Sequence, residues 1–164
     1  MNINELPYVL RLLWKIFPAY VANAAPLVFI RKGHPMDFNK QFIDKKPILG
    51  KGKTIEGFLV GSIIGAIVGL IQGQGSISLT LSIGTMIGDV TGSFIKRRLN
   101  ISRGKPAPII DQVMFLLGAI LLTNLFFAET FDLMDTIVLI LITIPIHFMT
   151  NAIAYLLGIK DVPW

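Results

Sequence analysis

The chain has 164 residues, of which 53% are hydrophobic and 15% are charged, and its formal net charge is +5. With a mean hydropathy of +0.68, this composition excludes an ordinary soluble domain and predicts an integral membrane protein. Cysteine is absent, which excludes disulfides and thiol chemistry.

Five apolar segments predict an all-α membrane protein with a single domain over residues 1–164. We expect transmembrane helices at about 6–30, 55–72, 77–97, 109–128 and 133–157, since roughly 20 apolar residues cross a bilayer core as helix. An interfacial first segment would leave four spans plus an anchor. Arg11 and Lys15 interrupt that segment, which argues against a cleavable signal peptide.

Glycines recur every four residues along the second and third segments. They are Gly57, Gly61, Gly65 and Gly69, then Gly84, Gly88 and Gly92. This spacing puts small residues on one helix face, where another backbone can approach closely. Ile64 and Phe94 lie on other faces and are expected to contact lipid.

The basic residues concentrate in two loops. Residues 31–53 hold seven Lys or Arg and residues 96–105 hold five, whereas residues 72–78 and 129–135 hold none. The positive-inside bias therefore places both long loops and Lys160 in the cytoplasm and the N-terminus outside. The long loops are also rich in Gly and Pro, which membrane topology alone does not require.

Two carboxylates are the candidate catalytic and metal-binding groups. Asp89 lies on the polar stripe of the third segment, about 10 Å inside the boundary expected at Lys96, where a carboxylate is costly. A hairpin of the third and fourth segments would bring Asp111 to the same depth. Carboxylates that face one cavity repel each other unless a proton or metal intervenes, and Mg²⁺ commonly binds one or two carboxylates plus substrate phosphates. The alternatives are a structural pair of Asp89 with Lys96 or an arginine, and a helix-start charge at Asp111.

A second candidate site precedes the second segment. Gly50, Gly52, Lys53 and Thr54 resemble the end of a Walker A loop, but Pro47 occupies the position of its first glycine, so no P-loop NTPase is implied. Glycines, lysines and a Thr54 cap still predict an anion site, with a plain cap and solvated lysines as the alternative. Further phosphate partners, or lipid anchors, are Lys96, Arg97, Arg98, Arg103 and Lys105.

The fifth segment carries His147 on one face with Thr143, Thr150 and Asn151. The histidine is expected to bond a neighbouring helix. A competing function is a small ion or solute transporter subunit with Asp89, His147 and Asn151 in its pathway. A third is an assembly subunit joined through its glycine faces. The concentration of Gly and Lys in the loops, rather than at mid-membrane, argues against a transporter.

Four motifs appear in order along nearly the whole chain. They are Pro18 to Pro26; Asp44 with Gly50 to Thr54 and Gly57; Gly88-Asp89 with Ser93 to Arg98; and Pro108 with Asp111-Gln112. Together they resemble the CDP-archaeol synthases, archaeal relatives of the CTP-dependent phosphatidate cytidylyltransferases. The chain departs from the family pattern at Asp44-Lys45-Lys46, where Asp-Gly-Lys is usual, and at Ile55-Glu56, where Trp-Arg is usual.

The resemblance implies an enzyme of the cell membrane that transfers the cytidylyl group of CTP to 2,3-bis-O-geranylgeranylglycerol 1-phosphate and releases pyrophosphate. It implies Mg²⁺ held by Asp89 and Asp111, with Lys96 as a further catalytic residue. The implied nucleotide and phosphate partners are Gly52, Lys53, Thr54, Arg97, Arg98 and Lys105, with Asn23, Ser93 and Gln112 as accessory residues. The expected partners are CTP, the isoprenoid ether lipid phosphate and membrane lipids, with no nucleic acid; the oligomeric state is left open.

Overall fold

The computed structural model describes residues 5–107 and 109–163. Within these residues it contains five helices and no strand. The helices are α1 (Tyr8–Phe29), α2 (Ile55–Ile71), α3 (Ile77–Arg98), α4 (Ile110–Phe126) and α5 (Leu133–Leu156). The predicted all-helical fold is confirmed. Pro108, a member of the fourth motif, lies outside the described residues.

The helices differ in how fully they match a membrane span. In the described part of the chain, α1 and α5 are long and apolar enough to cross a membrane, with 22 and 24 residues. The apolar helices α2 and α4 have 17 residues each, which is about 25 Å and close to the minimum for a span. A polar stripe lowers the hydrophobicity of α3, which has 22 residues. This fold is that of an integral membrane protein with two full-length and several shorter spans.

The two long connections, residues 30–54 and 99–109, meet at one end of the bundle, here named the loop end. The short connections 72–76 and 127–132 lie at the opposite end, where the Gln74 side chain donates to the Trp14 carbonyl. Between the two ends a core of buried apolar side chains joins α1, α3, α4 and α5. Its members include Leu12, Ile16, Leu81, Phe115, Leu116 and Leu139.

Glycines bring α3 and α4 into direct backbone contact. A Cβ atom built on Gly84 would lie 2.5 Å from the carbonyl oxygen of Gly118, and one on Gly118 would lie 2.6 Å from the Cα of Gly88. Neither position has room for any side chain. The four-residue spacing had predicted the glycines of α3 only; the structure adds Gly118 of α4 as their contact partner.

The glycine face of α2 packs between α1 and α3. A Cβ on Gly61 would lie 2.7 Å from the Ala22 carbonyl oxygen, and one on Gly65 would lie 2.5 Å from Ser82 Oγ. Both glycines are buried, as are Gly57 and Gly69. The predicted contact role of this face is therefore confirmed.

Phe94 does not face lipid, and that prediction is wrong. Its ring lies 5.4 Å from the ring of Phe42 and 4.9 Å from the guanidinium carbon of Arg98. The 30–54 connection folds back over this part of α3, an arrangement that helical periodicity does not reveal. On α2, Ile64 is half-buried and its neighbour Ile63 is 55% exposed, so Ile63 is the more outward-facing of the two.

The glycine contacts yield a test of stability. Gly61→Leu and Gly88→Leu should each lower the free energy of unfolding by at least about 1–3 kcal/mol, because the added side chain has no space. Ile63→Leu and Ile87→Leu, at exposed positions, should change it little. Thermal unfolding in detergent measures the difference, and equal midpoints for all four variants would contradict the assigned contacts.

Candidate active site

A cavity of about 650 Å³ opens at the loop end of the bundle. Every helix contributes to its wall: α1 with Asn23, α2 with Gly57, α3 with Asp89, α4 with Asp111 and α5 with His147. Both long connections and the segment after α5 complete the lining. The cavity therefore collects residues from the whole length of the chain.

The structure brings the two predicted carboxylates to this one cavity, and each is held by a lysine. Lys53 Nζ donates to Asp89 Oδ2, and Lys96 Nζ donates to Asp111 Oδ1. The Asp89 and Asp111 side chains are 27% and 32% exposed, so water or a ligand in the cavity can reach both. The alternative that paired Asp89 with Lys96 is wrong, because Lys96 reaches across to α4 instead.

The donor set at the cavity suits a cation that is shared with a substrate. Among the residues described, no group of three or more His, Cys, Asp or Glu is arranged to hold a metal ion. Two carboxylates that face open space leave the remaining coordination positions to water or phosphate oxygens, as is common for hard divalent cations. Asp89 and Asp111 are therefore the cavity residues that could hold a divalent cation together with substrate oxygens.

Asp37 organises the 30–54 connection from within. Its carboxylate is buried and accepts hydrogen bonds from the backbone N–H groups of Leu49 at 2.9 Å, Gly50 at 2.8 Å and Asn39 at 3.0 Å. Gly50 has φ +89°, which a side chain would oppose. Burial alone would raise the pKa of Asp37, but the backbone hydrogen bonds outweigh it and hold that pKa below its usual value.

The base of the same connection is closed by paired backbone bonds. The Met36 N–H donates to the Lys53 carbonyl, and the Ile55 N–H donates to the His34 carbonyl, both at 2.9 Å. Glu56 accepts from the His34 N–H at 2.7 Å, and its second oxygen lies 2.5 Å from His34 Nδ1. Glu56, which departs from the family pattern, therefore stabilises the base of this connection.

The start of α2 borders the cavity, which Gly57 and Phe58 line. Thr54 caps the helix by accepting from the Gly57 N–H at 3.1 Å, so the predicted cap is confirmed. Gly52, Lys53 and Thr54 all line the cavity. A lysine, a glycine and a helix start thus lie beside Asp89, an arrangement suited to an anion.

Two residues predicted as phosphate partners bind the loops instead of lining the cavity. Arg97 donates from Nε to the Leu49 carbonyl at 3.1 Å and from Nη1 to the Ile101 carbonyl at 2.5 Å. Arg98 donates from Nη2 to the Pro47 carbonyl at 2.5 Å and pairs with the Asp44 carboxylate at 2.9 Å. Both arginines tie the long connections to α3.

Of the three residues predicted as accessory site residues, one lines the cavity and two do not. Asn23 lines the cavity. Ser93 is buried and is absent from the cavity lining, and the side-chain oxygen of Gln112 accepts from the Ile109 N–H at 3.3 Å. Gln112 therefore supports the start of α4.

The cavity is strongly cationic. Against its two carboxylates, the described residues place eight Lys or Arg on the lining: Arg31, Lys32, Lys51, Lys53, Lys96, Arg103, Lys105 and Lys160. Lys51 is one of the lysines of the anion site predicted before α2, whereas the sequence had used Arg31, Lys32 and Lys160 only to orient the chain in the membrane. Charge counts in a loop cannot distinguish a cavity residue from an anchor, so no local signal identified these three.

The comparisons with known proteins agree on one family. A family model described as CarS-like CDP-archaeol synthase matches residues 5–164. The CDP-archaeol synthase of Thermofilum pendens is 42% identical over 93% of this chain and 79% of its own, and that of Methanopyrus kandleri is 42% identical over 93% and 91%. A solved structure described as an intramembrane enzyme for archaeal membrane lipids biosynthesis is 33% identical, with a TM-score of 0.78 over 87% of this chain and 94% of that one.

Asp37 provides a test of how the loop is held. Asp37→Asn replaces one accepting oxygen by an amide group that cannot accept, so it should cost about 1–3 kcal/mol of stability and speed limited proteolysis between residues 38 and 50. Asp161→Asn, at an exposed position, is the control. Unchanged proteolysis would contradict this role.

The stabilisation by Asp37 should also depend on pH. Because the pKa of Asp37 in the folded protein lies below the ordinary 3.8, its carboxylate stabilises the fold fully above pH 3.8. This stabilisation is lost as the pH falls through the pKa of the folded protein.

Proposed function

Since this chain belongs to the CarS-like CDP-archaeol synthase family, we propose that it transfers the cytidylyl group of CTP to 2,3-bis-O-geranylgeranylglycerol 1-phosphate. The membership shows a CTP-dependent cytidylyltransferase of archaeal membrane lipid synthesis, and the transporter and assembly-subunit alternatives are therefore wrong. The acceptor lipid, the metal, the site residues and the sidedness are our proposals.

One observation carries the placement of the reaction. Asp89 and Asp111, each held by a lysine, lie on a single cavity with an excess of positive charge. Both proposed substrates are anions that repel each other in water. A cationic cavity lowers that repulsion before the reaction begins and concentrates the anions near it.

The chemistry requires alignment more than proton transfer. An oxygen of the lipid phosphate attacks the α-phosphorus of CTP, a new P–O bond forms, and the bond from the α-phosphorus to the bridging oxygen breaks to release pyrophosphate. The attacking oxygen is already anionic, so no side chain has to remove a proton. The protein's task is to hold the two phosphates in line and to stabilise the charge of the leaving group.

Asp89 and Asp111 are the proposed Mg²⁺ ligands. Mg²⁺ would neutralise phosphate charge and orient the phosphate oxygens. Gly52, Lys53 and Thr54 bind nucleotide phosphates at the start of α2. The Lys96 ammonium, kept beside Asp111, stabilises the charge that develops at the reacting phosphate.

The remaining cations divide between direct and indirect roles. Lys105 lies on the cavity lining and serves as a phosphate partner. Arg97 and Arg98 act through the connections that they bind, because their guanidinium groups are engaged with backbone carbonyls.

The loop end is the proposed cytoplasmic end. Both basic connections and Lys160 line the same cavity, which agrees with the positive-inside bias of the two loops. A cytoplasmic opening gives CTP direct access.

The carboxylates are tested by pyrophosphate release from CTP that depends on added lipid phosphate. Asp89→Asn and Asp111→Asn should each lower turnover by at least about 100-fold, the scale at which loss of an electrostatic group in a catalytic site is felt. The double variant should lose much less than the sum, because both groups serve one ion. Glu129→Gln is the control, since Glu129 is an exposed carboxylate in the 127–132 connection at the opposite end of the bundle. An Asp89→Asn enzyme with parental turnover and Mg²⁺ dependence would show that this carboxylate is structural.

Sidedness is tested with single cysteines in this cysteine-free chain. Lys40→Cys lies in the 30–54 connection and Ser76→Cys lies in the 72–76 turn, and both positions are exposed. A membrane-impermeant maleimide should label Ser76→Cys in intact cells and Lys40→Cys only after lysis. The reverse pattern would place the cavity outside and remove its access to cytoplasmic CTP.

A further inference from the structure

The segment after α5 folds back toward the cavity through a specific helix ending. The Ile159 N–H donates to the Ala154 carbonyl at 2.9 Å, and the Gly158 N–H donates to the Tyr155 carbonyl at 3.0 Å. This pair of bonds is the Schellman motif, which needs a left-handed residue after the helix. Gly158 supplies it with φ +69°. The chain therefore reverses within two residues, and Lys160 returns alongside the last turns of α5.

Lys160 is oriented by two polar residues of α5. Its Nζ donates to Asn151 Oδ1 at 3.0 Å, and Asn151 Nδ2 lies 3.2 Å from His147 Nδ1. Because the Asn151 oxygen accepts from the lysine, its amide nitrogen is left to donate to His147 Nδ1. A neutral His147 then carries its proton on Nε2. All three residues line the cavity.

Lys160 also lies within electrostatic reach of both ion pairs. Partial burial is the largest influence and lowers its pKa, the Asp111 carboxylate raises it, and the Lys96 and Lys53 ammonium groups lower it. The C-terminal lysine is thus part of the same charge cluster as the residues proposed for catalysis. An anion bound there would offset the mutual repulsion of the three lysines.

The α5 wall separates this cluster from the surface that faces the bilayer. α1 and α5 meet where Tyr20 Oη and Thr143 Oγ1 lie 2.7 Å apart. One turn closer to the loop end, Asn23 and His147 both line the cavity instead. Next to His147 on the outer face, Phe148 is 58% exposed. On this stretch of α5, cavity-lining polar residues and exposed apolar residues therefore occur on one helix.

The substrate of a lipid cytidylyltransferase imposes a geometric condition on this wall. Its phosphate has to reach a polar cavity while its two chains remain in the hydrocarbon, so it has to approach from the side of the bundle. Lys51, Arg103 and Lys105 belong instead to the long connections and are exposed, so a soluble nucleotide can reach them from water. The α5 side combines cavity-lining polar residues, His147 and Asn151, with exposed apolar residues such as Phe148 and Met149, and Lys160 lies at its end.

We propose that Lys160, oriented by Asn151 and His147, binds the phosphate of the lipid substrate where that phosphate enters beside α5. Lys160 is a binding residue in this scheme, and Asn151 and His147 are positioning residues. The inference rests on the proposed function and extends it by separating a lipid-phosphate subsite at α5 from a nucleotide subsite on the loops.

The test compares Michaelis constants for the two substrates. Lys160→Met should raise the KM for lipid phosphate by at least about 10-fold, the scale of one lost hydrogen bond from a charged group, with the KM for CTP unchanged. Lys160→Arg should retain most of the affinity for lipid, and Asn151→Leu should raise the same KM by a smaller factor. Lys40→Met, an exposed lysine outside the cavity, is the matched control and should match the parent.

Alternative roles of Lys160 give different results. A raised KM for CTP would assign it to the nucleotide, and weaker inhibition by pyrophosphate with an unchanged lipid KM would assign it to the leaving group. Either result overturns the proposal, as does a Lys160→Met enzyme identical to the parent.

A binding measurement separates this proposal from the proposed function. Binding of a fluorescent, phosphate-headed lipid to the full chain in detergent without CTP should weaken in Lys160→Met and persist in Lys160→Arg. If the parent shows no CTP-dependent turnover, the proposed function fails, while the binding comparison still decides the role of Lys160. Equal lipid binding by parent and Lys160→Met overturns the subsite.

Discussion

The direct backbone contact between α3 and α4 is the constraint on which the rest of the structure depends. Gly84, Gly88 and Gly118 leave no room for a side chain between the two helices, so their separation and register are fixed by atoms that cannot rearrange. Asp89 follows Gly88 in the sequence, and Asp111 lies about two turns before Gly118. The spatial relation of the two carboxylates is therefore set by packing in the apolar part of the bundle, several residues away from the cavity.

Charge pairing across distant parts of the chain explains how carboxylates and cations coexist in this cavity. Lys53 comes from the end of the first long connection and reaches Asp89 on α3, while Lys96 links α3 to Asp111 on α4. Each pair joins two elements and leaves both charges open to the cavity. Groups held in place before a ligand arrives need little reorganisation when charge develops on it, which is the main advantage of a preorganised site.

The 30–54 connection, the proposed anion-binding loop, reaches its geometry without the glycine pattern of a P-loop. The buried Asp37 carboxylate gathers backbone N–H groups from inside the connection, and Glu56 closes its base through His34. Arg97 joins the same connection to α3. These contacts use charged side chains for support, so the same basic connection contains residues that line the cavity and residues that hold the loop. A lipid enzyme needs such an ordered aqueous loop next to a helix wall that its substrate's chains can approach.

The five helices and the glycine faces of α2 and α3 could be predicted from the sequence, because hydrophobic length and four-residue spacing are local properties of the chain. It also singled out Asp89, since a carboxylate on the polar stripe of an apolar helix is costly, and then Asp111, which a hairpin of α3 and α4 brings to the same depth. Tertiary structure alone decided that Lys96 pairs with Asp111, that Arg98 turns away toward the loop, and that Lys160 joins the cavity. The physical reason is that these outcomes depend on distances between residues far apart in the chain, which identical Lys and Arg side chains in a basic loop do not encode.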